Sequence, residues 1–327
     1  MAYPPGRRPH LVSGPARRYA TPAAFRRALD DRLKTAAAAR GRDVNLMRRQ
    51  FLLQRYLARV FHDPASPWVL KGGTGLLVRL PGARHSQDID LLHPDAELAA
   101  AVAELRRVAD IGGLDPFTFT VGEPTSMVGG VAGATVRVTV SLGVAMLDRF
   151  PLDLSTGLEL VAGLERHQLE PMVEIADVAA LPEVTLYPLP DQIADKVAAM
   201  VERHGPGGRA STRYRDLVDL VLIVRSCEVD AALTRAALSA QAHRRELTLP
   251  LTLSAPSPAW VPGYRKAVGD ATLPADLRSL EAALAAAERC VNALLDGTVT
   301  RGTWIRPSNT GSRKTMVMAP SRRMDAV

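Results

Sequence analysis

The string Gly72-Gly73-Thr74, followed after 13 intervening residues by Asp88-Ile89-Asp90, constrains the fold of this chain more than any other feature. The apolar run Trp68-Val69-Leu70 reads as a short buried strand that ends at Lys71. The glycines that follow allow a sharp turn and a close approach of backbone to a phosphate, whose oxygens the N–H groups opening the next helix can meet. That helix is expected over Gly75 to Leu80, with Pro81-Gly82 to stop it. Asp88 to Leu92 then alternates as a strand, so both carboxylates fall on one face, where they can share one or two Mg²⁺ ions. A third acid is expected from a neighbouring strand, and Phe150-Pro151-Leu152-Asp153-Leu154 supplies Asp153 between apolar neighbours. Strand, turn, helix and strand in this order predict an α/β core with a mixed sheet. Three converging carboxylates beside a phosphate-binding turn predict a two-metal phosphoryl or nucleotidyl transfer site.

Around that core the chain divides by composition. Residues 1–20 are rich in Pro, Gly and Arg without periodicity and read as a flexible basic arm. Phe25, Leu29 and Leu33, then Leu46, Phe51, Leu52, Tyr56 and Val60, mark two amphipathic helices ahead of the first motif. A further helix is expected over 96–108 and strands over 117–121, 134–142 and 149–154. Pro182, Pro188 and Pro190 suggest a boundary, beyond which the pattern is helical over 191–203, 212–225, 230–242 and 275–295. The expected divisions are the arm at 1–20, a core with its N-terminal helices at 21–185, a helical domain at 186–300 and a disordered basic tail at 301–327.

Charge and composition bear on partners and compartment. Residues 1–60 carry 14 Arg and Lys against 3 acids, residues 301–327 carry 6 against 1, and the stretch between carries 21 against 30. Cationic ends suit a nucleic-acid backbone, and they equally suit merely solubilising termini. Only five lysines accompany 36 arginines, so Lys71 and Lys196, beside the most informative segments, stand out as positions for a compact ammonium. The two cysteines, Cys227 and Cys290, have neither the number nor the spacing of a disulfide framework or a zinc site, which fits a reducing compartment. No run approaches the ~18 apolar residues of a membrane span, and the N-terminus lacks a secretion signal's apolar core. A cytoplasmic protein with no membrane partner is expected.

The motif order resembles the DNA-polymerase-β-type nucleotidyltransferase superfamily. Val69-Leu70-Lys71-Gly72-Gly73-Thr74, taken with Arg84-His85-Ser86-Gln87-Asp88-Ile89-Asp90-Leu91-Leu92, is similar more specifically to the AbiEii/AbiGii toxins, the toxin half of type IV toxin–antitoxin and abortive-infection systems. Asp191-Gln192-Ile193-Ala194-Asp195-Lys196 resembles that family's lysine-bearing helix, and Arg213-Tyr214-Arg215-Asp216-Leu217-Val218-Asp219-Leu220 resembles its Arg-Asp-Leu-Tyr-Asp-Leu helix. The likeness runs from about residue 40 to 225. It implies a polymerase-β-type core with a mixed sheet, followed by a mainly helical C-terminal domain. It also implies Mg²⁺ on Asp88, Asp90 and Asp153, and an NTP bound by Lys71, Gly72, Gly73, Thr74, Lys196, Arg213 and Asp216. Lys196 would meet the triphosphate and Asp153 would help deprotonate the acceptor hydroxyl. The implied acceptor is RNA, at the tRNA 3′ end, with translation blocked through lost aminoacylation and a separately encoded antitoxin as neutraliser.

Several residues admit a second role. Lys196 also fits a solvated helix position, and Lys71 either contacts a phosphate or balances the acids. Asp216 and Asp219, at i and i+3, share a helix face with Arg215; Asp216 orders Lys196 or Arg213 around the nucleotide, or an i, i+4 pair of Arg215 with Asp219 accounts for part of the pattern. Ser86, two residues before Asp88, is expected on the metal-facing side, where a phosphate would silence the enzyme; it also fits a loop serine bonding the backbone. Transfer to a protein or small molecule uses the same motifs. So does an inert module that only holds RNA or an antitoxin, though unpaired clustered carboxylates would repel each other and RNA.

Overall fold

The computed structural model of the chain describes residues 18–80, 83–126, 132–270 and 273–305. Most of the expected arm at 1–20 and most of the expected tail at 301–327 lie outside the described residues. Thr21 caps helix α1 (Pro22–Arg40) by accepting from the Ala24 N–H, and Asp43 caps α2 (Val44–Val60) by accepting from Asn45 and Leu46. Gly41, at φ +58°, reverses the chain between them. Phe25, Leu29 and Leu33 on α1 join Phe51 and Tyr56 on α2 in one buried cluster. Arg55 and Arg59 on α2 are buried as well and both pair with Asp115. Two of the N-terminal cations therefore anchor α2 to the core and are closed to nucleic acid.

The core continues as β1 (Val69–Lys71), α3 (Gly72–Arg79), β2 (Ile89–His93), α4 (Leu98–Ala109), β3 (Phe117–Val121), β4 (Thr125–Ser126), β5 (Gly133–Leu142), β6 (Ala145–Thr156), β7 (Glu165–Gln168) and β8 (Glu183–Leu186). The sheet runs β3-β5-β6-β2-β1-β8-β7, with β4 beside β5. It is mixed: β2 is parallel to β6 and β1 to β8, while the other pairs are antiparallel. Strict alternation is clearest in β3, where Phe117, Phe119 and Val121 face the core and Thr118 and Thr120 face out.

Two local expectations shift. Helix α3 begins at Gly72 rather than Gly75, because the glycine turn is itself the first helical turn. Strands β7 and β8 were not expected, since Glu-Arg-His-Gln in β7 presents no apolar alternation. The prolines there flank β8 and open the next helix, α5 (Leu189–Val201), where Pro190 falls in the first turn and loses no intrahelical bond.

A short hairpin, β9 (Arg203–His204) and β10 (Arg209–Ala210), leads to α6 (Tyr214–Ser226), α7 (Ala231–Arg244), α8 (Trp260–Ala267) and α9 (Leu280–Leu295). Helices α5 to α9 form a second apolar cluster, which also takes in Leu76 of α3 and Ala83. Helix α8 was not expected; its Trp260 and Tyr264, four apart, are fully buried. The helix expected over 275–295 is divided, with a 3₁₀ turn at Ala275–Leu277 and Ser279 capping α9 through the Ala282 N–H. Among the described residues no helix is long and apolar enough to cross a membrane.

Candidate active site

Sheet register sets the centre of the site. Asp90 on β2 pairs with Asp153 on β6 on one side and with Lys71 on β1 on the other, and Thr135 on β5 pairs with Asp153. Residues directly opposite on adjacent strands share a face with Cβ atoms ~5 Å apart, so two carboxylates stand side by side at the middle of the sheet. Like charges so placed are unfavourable. Burial first, and then Asp88 and Asp153, push the Asp90 carboxyl up to about 7, against the partial relief given by Lys71 and Lys196. Carboxylates crowded in this way call for a cation.

The glycine turn is shaped around the same group. Gly72 sits at φ +59°, and a Cβ there would lie 1.8 Å from Asp90 Oδ2. A Cβ on Gly73 would meet the Ser86 hydroxyl at 2.8 Å. Lys71 occupies the N-cap of α3 without a side-chain cap bond, so no cap side chain takes up the opening N–H groups of the helix. Gly72→Ala is expected to lose nucleotide transfer and at least about 1–3 kcal/mol of stability, because strain at positive φ and the clash with Asp90 act together. Thermal denaturation beside an activity assay checks both, and a fully active, equally stable variant would refute this account of the turn.

The structure gives several expected nucleotide-site residues other work. Thr74 is fully buried and its hydroxyl donates to the Asp88 carbonyl at 2.7 Å, so its side chain pins α3 to the loop before β2 instead of lining the cleft. Thr74→Val should cost about 1–3 kcal/mol by leaving that buried carbonyl unsatisfied, read as a lowered Tm. Ser86 is 3% exposed and donates to Asp88 Oδ1, neither facing solvent nor bonding only backbone. Modification there would require the loop to open first. The Lys71 ammonium lies 4.9 Å from the centre of the Tyr187 ring.

Across the cleft, α5 and α6 supply the positive side. The Lys196 ammonium donates to Asp219 at 2.7 Å and to Asp216 at 3.1 Å. Arg84 grips both oxygens of Asp219 at 3.0 Å each. Burial alone would lower Lys196, but Asp219 and Asp216 hold it above its ordinary value and keep it charged. Asp219 thus pairs with Lys196 and Arg84 rather than with Arg215, and neither Arg84 nor Asp219 was singled out as a site residue from the sequence. The signal was faint: an Arg just past Pro81-Gly82, and an i, i+3 acid pair whose partners are distant in the chain.

A cleft of about 450 Å³ opens between the two sides, lined by Gly72, Gly73, Asp88, Asp90, Asp153 and Lys196, and at its rim by Arg213, Arg215 and Lys266. Those three rim cations are exposed and form no ion pair among the described residues. Asp88 and Asp153 each accept a hydroxyl, from Ser86 and from Thr135. As the side chains stand, no group of three or more His, Cys, Asp or Glu among the described residues is arranged to hold a metal ion. The oxygen donors of Asp88, Asp90 and Asp153 are of the hard kind that a small divalent cation takes.

No curated protein matches the chain. Among solved structures it is similar to the nucleotidyltransferase toxin MenT4 of Mycobacterium tuberculosis, at 20% identity and TM-score 0.53 over 80% of this chain and 89% of that one. Two Helicobacter pylori proteins are also similar: a putative nucleotidyltransferase (16% identity, TM-score 0.42, 76% and 96% of the two chains) and JHP933 (17%, 0.40, 78% and 90%). At such identities the MenT4 likeness is one of fold. A model of the family described as nucleotidyl transferase AbiEii toxin, type IV toxin–antitoxin system, matches residues 55–286. With that match spanning most of its length, the chain belongs to the AbiEii family of nucleotidyltransferase toxins.

Proposed function

We propose that the protein transfers a nucleotide from an NTP to the 3′ end of an RNA, a tRNA by family resemblance, and so stops translation in the cytoplasm until an antitoxin restrains it. The observation carrying this reading is that one cleft brings Asp88, Asp90 and Asp153 together with Arg213, Arg215 and Lys266, cations that form no ion pair among the described residues. A triphosphate fits between them. Its oxygens meet the N–H groups opening α3 and the Lys196 ammonium, which offset charge on the departing pyrophosphate. Mg²⁺ held by the three carboxylates would supply Lewis-acid activation of the α-phosphate. Asp153 takes the proton of the acceptor hydroxyl as its oxygen bonds phosphorus and the bond to the bridging oxygen of the β-phosphate breaks. MenT4, named a nucleotidyltransferase toxin, has the same fold and supports a toxic outcome.

Incubation of the purified protein with total RNA, Mg²⁺ and each labelled NTP in turn tests this. Label in RNA of tRNA size from at least one NTP, lost on chelation, is expected. Label in protein alone would move the acceptor to a side chain, and no label from any NTP would overturn nucleotidyl transfer.

A further inference from the structure

After α9 the chain returns to the start of α7. There β12 (Thr303–Trp304) pairs antiparallel with β11 (Val229–Asp230), Trp304 opposite Val229 and Thr303 opposite Asp230. The return is fixed: the buried Trp304 indole donates to the Val224 carbonyl at 2.8 Å, and the Ala231 N–H donates to the Gly302 carbonyl at 2.9 Å. Continued in the same register, Ile305 falls opposite Glu228, and the chain leaves it heading along Cys227 and Ser226.

Residues Ser226 to Asp230 line a groove of about 440 Å³. The nucleotidyltransferase core contributes Arg79 and Leu80 from the end of α3 and Glu165 from β7, while Leu189 and Pro190 open α5 beside them. The groove therefore lies on the joint between sheet and helices, and it shares no lining residue with the cleft at the acids. Apolar surface is left open around it. Leu233, which lines it, is 40% exposed, as are Leu164 at 50%, next to Glu165 in the chain, and Ile305 at 44%. Its charge is unbalanced too. Three carboxylates, Glu165, Glu228 and Asp230, accompany one cation, Arg79, which Glu165 already pairs. Glu228 is exposed and forms no ion pair among the described residues.

An occupant suited to this groove carries apolar side chains next to positive charge. Residues 306–327 hold five Arg and Lys against one acid, and Met316-Val317-Met318 stands just after Arg313 and Lys314. Ten residues, 306–315, join Ile305 to Met316. Their extended reach of ~33 Å is ample for turning back into a groove that begins beside Ile305, and Pro307, Asn309 and Gly311 among them are turn formers. A segment tethered so closely binds as if present at about millimolar concentration, so a small contact suffices.

We propose that this groove is the docking place of the chain's own segment 313–319, with Met316, Val317 and Met318 on the apolar lining and Arg313 and Lys314 at Glu228 and Asp230. Methionine side chains adapt well to such an irregular surface. Docked there, the segment straps the helical half to the end of α3, about 10 Å along that helix from the glycine turn.

The full chain is tested by linking to Cys227, a groove residue that forms no disulfide; the other cysteine, Cys290, is buried in α9. Thr310→Cys, Val317→Cys and Ser321→Cys are made singly and treated with a mild oxidant, and linked peptides are identified by mass spectrometry without reduction. Val317→Cys should link to Cys227 within one chain at least fivefold faster than either flanking variant, and adding Glu228→Lys should slow that link several-fold. In the unlinked protein Val317→Asp should lower Tm by about 2–4 °C, whereas Ser321→Asp should leave it unchanged. Equal linking from all three positions, or none, would show a segment that does not dock, and linking only between two chains would give the groove to a second copy. Either result overturns the proposal, as does an unchanged Tm for Val317→Asp.

Discussion

Asp90→Asn is expected to reduce nucleotide transfer at least about 10³-fold while leaving the protein as stable as before or more so. The loss follows from the several kcal/mol of charge stabilisation that a carboxylate-held cation supplies at a phosphoryl centre, since about 4 kcal/mol is a thousandfold in rate. The retained stability follows from the register. Asp90 stands opposite Asp153 and near Asp88, and these two carboxylates, after burial itself, hold its proton on up to about 7. A neutral amide of the same shape removes that repulsion. Thermal denaturation without and with Mg²⁺ separates the terms: the wild type should gain stability from Mg²⁺, and Asp90→Asn should gain little. Transfer within tenfold of wild type would remove Asp90 from the site.

Asp219→Ala should be the most destabilising single change at the cleft, by about 3–5 kcal/mol, and should also inactivate. One buried carboxylate holds two cations, so its removal leaves Arg84 without its partner and Lys196 with Asp216 alone. Burial by itself would raise the Asp219 carboxyl, but Lys196 and Arg84 outweigh it and hold the group below its usual value. A depressed carboxylate stabilises the fold above the unfolded-state value of 3.8 and loses that contribution as pH falls through its lower folded-state value. Lys196, held above 10.5, contributes fully below that unfolded-state value and loses the contribution as pH rises through its higher folded-state value. The Tm difference between wild type and Asp219→Ala should therefore be full at neutral pH and close in strong acid. A difference that persists unchanged at pH 2, or an Asp219→Ala protein as stable as wild type at pH 7, would show that the ion network contributes nothing.

The sequence by itself determined whatever depends on neighbours in the chain. A Gly-Gly turn after an apolar strand, two Asp at strand spacing and an Asp between leucines are local patterns. Backbone sterics and the two-residue period of a strand translate them directly into a turn, a helix start and carboxylates on one face. The amphipathic helices α1 and α2 were legible for the same reason. Patternless strands such as β7 were not, because an edge strand of charged residues leaves no periodic trace. Which side chains meet across the cleft was decided only by the tertiary structure. Thr74 reads as a phosphate contact until its hydroxyl is found on the Asp88 carbonyl, and Ser86, which reads as a metal-facing residue or a loop serine bonding the backbone, is found buried with its hydroxyl on the Asp88 carboxylate. Arg84 and Lys196 meet on Asp219 although 135 and 23 residues separate them from it in the chain. Periodicity says which face a residue occupies, but pairing depends on how two apolar clusters dock, and that is settled by packing over the whole chain.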